Sequence, residues 1–352
     1  MAKDKTLRLI LGDQLNEKHT WFRKPENSVI YVLMEIRQET DYVKHHVQKV
    51  VAFFAAMRAF AEQLKEKGHT VIYLRLDDPK NQQTIQANLK QLLKEKQFTR
   101  FEYLLPDEYR LDIELRKIAK TLSVPWEAVD TAHFFTRRQE LQEFFDGKKR
   151  YLMESFYRRM RKKHDILMDG GNPLGGRWNF DVENRRRYDG RVSIPKPKLF
   201  RNNVGELHKM IEKAGVKTFG TIKPSSLIWP INRSQSQSLL NAFLKNGLKE
   251  FGTYQDAMTT QSWSLFHARI SFALNTKMLH PLEVIEAAVR TWEKQKQTIK
   301  IQQIEGFVRQ ILGWREYMRG IYWTLMPKLG RMNFFNHKAP LPDYYWTGET
   351  KM

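Results

Sequence analysis

Polar residues follow several short apolar runs in the first third of the chain, where they could bind a small ligand. They are Gly12-Asp13-Gln14, Glu35 through Glu39, Asp77-Asp78 and Pro106-Asp107-Glu108-Tyr109. None of these segments matches the Gly-x-Gly-x-x-Gly fingerprint or a P-loop, so the sequence does not indicate a nucleotide pyrophosphate. Carboxylate and amide groups suit a neutral heterocycle with N–H and hydroxyl groups instead. An alternative stays open, in which Asp13 caps a helix and the other groups are solvated loop residues.

Basic residues interleaved with aromatic residues form a second candidate site in the middle of the chain. The segment Lys148–Lys163 contains eight basic residues and one acidic residue, together with Tyr151, Phe156 and Tyr157. On a helix, this order places the aromatic side chains inward and the Arg and Lys side chains outward, which suits a phosphate backbone. A solvated basic face is the alternative.

The last third of the chain contains two predicted helices with polar candidates. In Ser264–Asn275, the residues His267, Ser271 and Asn275 lie at i, i+4 and i+8 and so share one polar stripe. Glu305–Met326 is predicted as one long amphipathic helix. Its apolar stripe consists of Phe307, Ile311, Trp314, Met318, Ile321 and Leu325.

The second of these helices also carries a pair of like charges. Arg315 and Arg319 lie four residues apart, a spacing that costs on the order of a few tenths of a kcal/mol unless a negative group lies nearby. Glu316 is the nearest candidate for that negative group.

Charge is distributed unevenly along the 352 residues, whose formal net charge is +21. Lys and Arg outnumber Asp and Glu by 3 over residues 1–144, by 9 over 145–201 and by 9 over 202–352. An excess concentrated in this way favours a polyanionic partner, either nucleic acid or an anionic membrane face. General solubility charge is the alternative.

Composition excludes several classes of protein. Hydrophobic residues make up 41% of the chain and aromatic residues 12%, as expected for a globular protein. The sequence has no apolar run long enough to span a bilayer and no signal peptide, so we expect a cytoplasmic protein without a membrane partner. The absence of cysteine excludes disulfides, thiolate nucleophiles and any metal or iron–sulfur site built on Cys in this chain, and no metal site is predicted.

The elements that must position these residues alternate between strand and helix over residues 1–135. The predicted strands are Leu7–Leu11, Ser28–Leu33, Thr70–Leu76 and Phe101–Leu105, and the predicted helices are His45–Lys67 and Thr84–Lys96. Continuous apolar strands separated by helices predict a doubly wound α/β domain with a parallel sheet, whose ligands bind at the carboxyl ends of the strands. A basic connector is predicted at 136–203 and an all-α domain at 204–352.

Several longer segments, in order along the whole chain, resemble one known family. They are Leu11-Gly-Asp-Gln-Leu15, Glu35 through His46, Gly175-Gly-Arg-Trp-Asn-Phe-Asp181 with Glu183-Asn-Arg185, Gln255-Asp-Ala-Met258, His267-Ala-Arg-Ile-Ser271 and Glu305 through Trp323. Together with the domain order, they resemble the photolyase/cryptochrome family, in its bacterial photolyase-related branch of iron–sulfur bacterial cryptochromes and (6-4) photolyases.

The resemblance implies a blue-light flavoprotein that acts on DNA. Such proteins bind FAD in the helical domain and a 6,7-dimethyl-8-ribityllumazine antenna at the strand ends of the α/β domain. An excited reduced flavin donates an electron to a pyrimidine lesion that is flipped out of the duplex.

The resemblance also implies roles for individual residues. The lumazine would be bound by Asp13, Gln14, Glu39 and Tyr42. His267 and Ser271 would face the flavin diphosphate, Gln310 and Arg315 would line the flavin or lesion pocket, and Trp346 would be the surface end of an electron-transfer chain. DNA phosphates would be bound by Arg158, Arg159, Lys162, Lys163 and Arg185.

The sequence departs from the family pattern at two places. Ala268 stands where the family has a serine that contacts the flavin phosphate. Family members also continue beyond the position of Met352, with four cluster cysteines, paired active-site histidines and the flavin N5 contact. We therefore expect a C-terminally truncated, partial FAD-binding domain with no iron–sulfur cluster, in which FAD would lack those contacts.

The leading hypothesis is a photolyase-related protein for light-driven repair of UV pyrimidine lesions in DNA. We expect it to be a monomer, and we expect the truncation to reduce or abolish its repair activity. A blue-light sensor is one alternative. A basic nucleic-acid-binding protein without photochemistry is another.

Overall fold

The computed structural model describes residues 5–351. Residues 1–4 and 352 lie outside this part of the chain. The predicted start of the first domain at residue 1 and the predicted end of the last domain at residue 352 therefore lie outside it as well. Within residues 5–351, no helix is long and apolar enough to cross a membrane.

The strands follow in chain order. They are β1 (Thr6–Leu9), β2 (Val29–Met34), β3 (His45–His46), β4 (Thr70–Leu74), β5 (Arg100–Leu104), β6 (Trp126–Val129), β7 (Met168–Asp169), β8 (Asn172–Pro173) and β9 (Thr218–Phe219). Five of them form one sheet in the order β4-β2-β1-β5-β6, and all pairs in it are parallel. The predicted doubly wound α/β domain is therefore confirmed.

The helices lie partly between these strands and partly after them. They are α1 (Arg37–Asp41), α2 (Val47–Glu66), α3 (Ile85–Lys96), α4 (Tyr109–Lys120), α5 (Glu140–Phe144), α6 (Met153–His164), α7 (Gly205–Lys213), α8 (Arg233–Asn246), α9 (Leu248–Tyr254), α10 (Ser271–Asn275), α11 (Pro281–Lys294), α12 (Ile301–Val308), α13 (Glu316–Leu325) and α14 (Tyr344–Thr347). The region from α7 onward is largely helical, with the short strand β9 as its exception, and the prediction of a helical second domain is confirmed.

Both faces of the central sheet are covered because its strands are apolar on both sides. Leu7 and Leu9 of β1 pack with Leu89 of α3 and Leu115 of α4 in one core cluster. Leu33 of β2 belongs to the other cluster, which α2 covers. Such two-sided burial is what continuous apolar strands require.

The predicted helix Ser264–Asn275 is wrong over its first seven residues. Only α10, which begins at Ser271, is helical there. Leu265 and Arg269 adopt φ values of +42° and +54°, in the left-handed region, so the backbone cannot continue as a right-handed helix. The polar stripe of His267, Ser271 and Asn275 consequently does not exist as predicted.

The predicted long helix Glu305–Met326 is interrupted by a π-helical stretch at Arg309–Arg315, between α12 and α13. A π-helical turn holds extra residues, so it rotates the face that follows it. Phe307 and Ile311 are buried as predicted, whereas Trp314 and Met318 are 41% and 56% exposed. The apolar stripe read from the sequence therefore does not stay on one face.

One basic residue of α6 departs from the outward orientation predicted for Lys148–Lys163. Arg161 is fully buried, and its guanidinium donates hydrogen bonds to the carbonyl oxygens of Ile166, Leu167 and Trp178. These hydrogen bonds stabilise the loop after α6, and the Arg161 side chain does not face solvent.

Candidate functional site

A cavity of 370 Å³ lies at the carboxyl edge of the central sheet. It is lined by the segments that follow β1, β2 and β5, including Gly12-Asp13, Glu39 and Asp107-Glu108. The chain passes from β1 through β2 to β4 on one side and returns to β5 and β6 on the other, so β1 and β5 border the topological switch point. Ligands of doubly wound folds bind at this position.

The walls of the cavity are largely apolar. Ile10 and Met34 come from the strand ends, while Val50, Phe53 and Met57 come from α2. Gly12 allows the loop after β1 to approach α2 closely, since a Cβ atom there would lie 2.9 Å from the Met57 Sδ atom. These walls offer apolar surface to a ligand.

Arg110 organises the acidic side of the cavity. Its Nη1 and Nη2 donate to the two carboxylate oxygens of Glu39 at 3.0 and 2.8 Å, and its Nε donates to Glu108 at 2.8 Å. The guanidinium also lies 4.2 Å from the centre of the Tyr42 ring. Burial, with the charge of Glu108, raises the pKa of Tyr42, which stays a neutral hydrogen-bonding group.

Lys277 closes the cavity from the helical region. It is 2% exposed, and its Nζ donates to the Asp13 carbonyl and carboxylate at 2.8 and 2.9 Å. The same Nζ lies 2.8 Å from Asp107 Oδ2. Burial disfavours the charge of Lys277, but the two carboxylates outweigh burial and raise its pKa.

Gln14 lies beneath the cavity rather than in its wall. Its Oε1 accepts a hydrogen bond from the Leu11 amide at 2.9 Å, and its Nε2 donates to the Leu104 carbonyl at 3.1 Å. The side chain thereby ties the end of β1 to the end of β5. Gln14 shapes the site, and its amide is already used within the protein.

Arg315 also lines this cavity, together with Phe134. Its Nη2 donates to Nε2 of the buried His133 at 3.1 Å, and its guanidinium carbon lies 4.4 Å from the centre of the Phe134 ring. Burial, reinforced by the charges of Arg315 and Lys277, holds the pKa of His133 well below its usual value. His133 is therefore a neutral acceptor for Arg315.

The residues predicted for the flavin lie in different places. His267 lines a cavity of only 40 Å³, whose described walls do not include Ser271, Gln310 or Arg315. Ser271 is exposed at the start of α10. Gln310 lies in the π-helical stretch, where its Nε2 is 3.4 Å from Gln255 Oε1.

Trp346, predicted as the surface end of an electron-transfer chain, is exposed on α14. Its ring centre lies 5.8 Å from that of Phe219 in β9.

The basic residues predicted for DNA lie mainly on the exposed face of α6. Arg158, Lys162 and Lys163 are exposed, and Arg159 is partly exposed. Two of them are held by Glu140, which lies 3.5 Å from Arg159 and 2.5 Å from Lys163. Burial opposes ionisation of Glu140, but the hydrogen bond and charge of Lys163, the Arg137 amide and the charge of Arg159 together outweigh burial and lower the pKa of Glu140.

The fifth predicted DNA residue, Arg185, lies outside α6. It is exposed and forms an ion pair with Asp181, which also pairs with the buried Arg309.

Sequence reasoning missed Lys277, Arg110 and His133 as site residues. Lys277 and Asp13 are separated by 264 positions, and no spacing in the sequence connects them. Arg110 directly follows the strand-end segment Pro106–Tyr109, and this position in the sequence could have indicated that it belongs to the site.

Comparison with known proteins identifies the family. The family model described as deoxyribodipyrimidine photo-lyase-related protein matches residues 8–227. A (6-4) photolyase of Agrobacterium fabrum is 35% identical over 351 residues, which cover 98% of this chain and 68% of that protein.

A solved structure shows the same fold. The crystal structure of a bacterial class III photolyase from Agrobacterium tumefaciens superimposes with a TM-score of 0.59 at 14% identity, covering 95% of this chain. The present chain spans 61% of the length of that solved chain. With the matched family model and the 35% identical relative, these similarities show that the chain belongs to the deoxyribodipyrimidine photo-lyase-related protein family.

Proposed function

We propose that this chain acts in light-dependent repair of UV-damaged DNA and that its sheet-edge cavity holds a light-harvesting chromophore of the lumazine type. The cavity carries the proposal. Its volume of 370 Å³ falls within the range of about 300–1,000 Å³ typical of small-molecule sites, and it lies at the switch point of a doubly wound sheet. The 35% identity to a (6-4) photolyase supports the repair role.

A ribityllumazine fits the groups that line the cavity. Ile10, Val50 and Met57 offer apolar surface to a flat ring. The side chains of Asp13, Glu39 and Tyr42, which were predicted to bind the lumazine, all lie in the wall. When bound, such a group supplies absorption of blue light.

The protein contributes rigidity at this site. Arg110 fixes Glu39 and Tyr42 in one orientation, and Lys277 fixes Asp13 against Asp107. Charged groups held by such contacts lose little further conformational entropy when a ligand binds, which favours affinity.

His267 and Arg315, two of the residues predicted for FAD, line separate cavities. A cavity of 40 Å³ beside His267 has room for little more than a water molecule. Arg315 lines the sheet-edge cavity instead of sharing a site with His267. We therefore assign no electron-transfer step to these residues.

DNA is the partner that the basic surface supports best. Arg158 and Lys162 lie on successive turns of α6, and together with Arg159 and Lys163 they form a cationic ridge. Ridges of this kind bind phosphates with little sequence preference.

Titration of the purified chain with 6,7-dimethyl-8-ribityllumazine tests the cavity. We expect quenching of the ligand fluorescence with saturable binding, and loss of binding in Val50→Trp, which fills the cavity. Arg290→Gln, on the exposed face of α11, is the matched control and should bind as the parent does. Absence of saturable binding to the parent chain would overturn the chromophore assignment.

Survival after UV irradiation tests the repair role separately. Cells without another photolyase should survive better under blue light than in the dark when they produce this chain. Equal survival in light and dark would overturn repair while leaving a light sensor as the alternative.

A further inference from the structure

Within residues 5–351, three cationic side chains line the sheet-edge cavity, and two of them are engaged inside the protein. Lys277 Nζ has three oxygen atoms within 2.9 Å, two from Asp13 and one from Asp107. In Arg315, Nη2 donates to His133 at 3.1 Å, and Nη1 is a buried atom. The donors of both cations are therefore directed at the protein itself.

Lys49 is the third cation, and its ammonium group keeps donors for a ligand. The side chain is exposed at the cavity, and its Nζ donates to His45 Nδ1 at 3.2 Å. His45 Nε2 lies 3.2 Å from the Glu39 carbonyl oxygen, which only accepts, so Nε2 carries the proton and Nδ1 is the acceptor. An ammonium group has three N–H donors, and in the described part of the chain two of them remain beyond the bond to His45.

Lys49 also belongs to the face of α2 that forms one wall of the cavity. Lys49, Phe53 and Met57 lie at i, i+4 and i+8 along this helix, and all three line the cavity. Side chains with this spacing share one face of a helix. A ring packed against Phe53 and Met57 would therefore bring one edge toward Lys49.

The carboxylates of the cavity wall impose a complementary requirement on the ligand. Four of them line the cavity, namely Asp13, Glu39, Asp107 and Glu108. Ionised carboxylates only accept hydrogen bonds, so they suit the ring N–H and the ribityl hydroxyl groups of a ribityllumazine but repel its two ring carbonyl oxygens. The carbonyl edge of the ring needs a donor, and Lys49 is the cation placed to supply it.

We propose that Lys49 donates a hydrogen bond to a ring carbonyl oxygen of the lumazine, which orients the ring in the cavity and shifts its absorption to longer wavelength. This inference rests on the proposed function of the cavity as a chromophore site. Excitation of a ring of this type moves electron density toward its carbonyl groups, so a cation there stabilises the excited state more than the ground state. Charged groups of a protein tune the electronic properties of bound cofactors in this way.

Titration of the full chain with 6,7-dimethyl-8-ribityllumazine, followed by absorption and fluorescence, tests this role of Lys49. Lys49→Met keeps the length of the side chain but removes the charge and the donors. We expect its dissociation constant to rise about tenfold, because one hydrogen bond to a charged group is lost at a partly exposed site. We also expect the absorption maximum of the bound ligand to move to shorter wavelength by several nanometres. Lys49→Arg, which keeps a charge and donors, should retain most of the shift to longer wavelength.

Lys65→Met is the matched control, because Lys65 lies in the last turn of α2 and pairs with Glu62 on the exposed surface. This variant removes the same charge and should leave both the affinity and the absorption maximum of the bound lumazine unchanged. Thermal melts of each variant show that the fold is intact.

The outcomes separate this inference from the proposed function. If Lys49→Met binds lumazine with the affinity or the absorption maximum of the parent chain, the role of Lys49 is wrong and the chromophore site stands. An equal change in Lys65→Met would show a general effect of charge and would also overturn the inference. If the parent chain does not bind lumazine, the chromophore site itself is wrong, and the role of Lys49 is wrong with it.

Discussion

Glu39 and Arg110 illustrate how single residues of the site depend on one another. Glu39 was predicted to contact the ligand directly, and it does line the cavity. Arg110, however, engages both of its carboxylate oxygens and Glu108 as well. Removing Arg110 takes away the cation that engages both oxygens of Glu39, so the two side chains act on a ligand as one unit.

His133 should make the stability of the protein depend on pH. Because its pKa is depressed in the folded state, the unfolded chain binds more protons as pH falls below about 6.5. This contribution to stability is present above pH 6.5 and is lost as pH falls toward the folded pKa, with a slope of at most about 1.4 kcal/mol per pH unit. His133→Gln, which keeps an acceptor for Arg315, should reduce the slope of unfolding free energy against pH by up to that amount.

Urea unfolding at pH 7.5, 6.5, 5.5 and 5.0 measures this slope. His337→Gln, in the exposed tail, is the control and should leave the slope unchanged. An identical slope in His133→Gln and the parent would show that His133 does not titrate in this way.

At the scale of elements, α6 combines a buried face with an exposed basic face. Tyr157 and Met160 are fully buried, as is Arg161. The basic residues on the other side are partly neutralised, since Glu140 of α5 holds two of them. The ridge therefore presents less free charge than its sequence suggests.

DNA binding should respond to changes on this ridge in two opposite directions. Reversing the four exposed basic residues to Glu should nearly abolish binding to duplex DNA. Glu140→Gln should strengthen binding, because it releases Arg159 and Lys163, and should steepen the salt dependence. Each additional phosphate contact changes the slope of log K against log salt by about −0.9.

Fluorescence anisotropy of labelled DNA between 50 and 300 mM salt measures both effects. Glu286→Gln, which frees Arg290 on α11 instead, is the matched control and should change little. A Glu140→Gln variant with the affinity and slope of the parent would contradict the role of Glu140.

For the whole molecule, the distribution of apolar surface is uneven. The two core clusters around the sheet are continuous, while large apolar side chains are exposed on α13, α14 and the segment between them. Phe334 and Phe335 are 94% and 75% exposed, and Trp346 is 58% exposed. Exposed aromatic groups in such number bind apolar dyes.

The chain should therefore bind an apolar fluorescent dye while fully folded. Phe334→Ser combined with Phe335→Ser should reduce the dye signal and leave the melting temperature within about 1 °C, because exposed side chains contribute within about 0.5 kcal/mol to stability. Dye fluorescence and a calorimetric melt of both proteins measure these effects. A fall of several degrees in the double variant would show that these rings are packed.

The alternation of strands and helices was determined by the sequence itself, because periodicity and continuous apolar runs are local properties of β1, β2 and α2. The same holds for the polar groups at the strand ends, such as Asp13 and Asp107, since parallel strands bring their carboxyl ends to one edge. Tertiary structure alone decided which of these groups remain free for a ligand.

The packing of segments that are distant in the sequence determines which of these groups are paired within the protein. Lys277 reaches Asp13 and Asp107, and Arg315 meets His133, only because the helical region closes over the sheet edge. The π-helical stretch likewise depends on packing, since Gly313 lies against α6 there. Both the charge pairs and the π-helical stretch depend on contacts between residues that are far apart in the chain. Local sequence patterns do not encode such contacts.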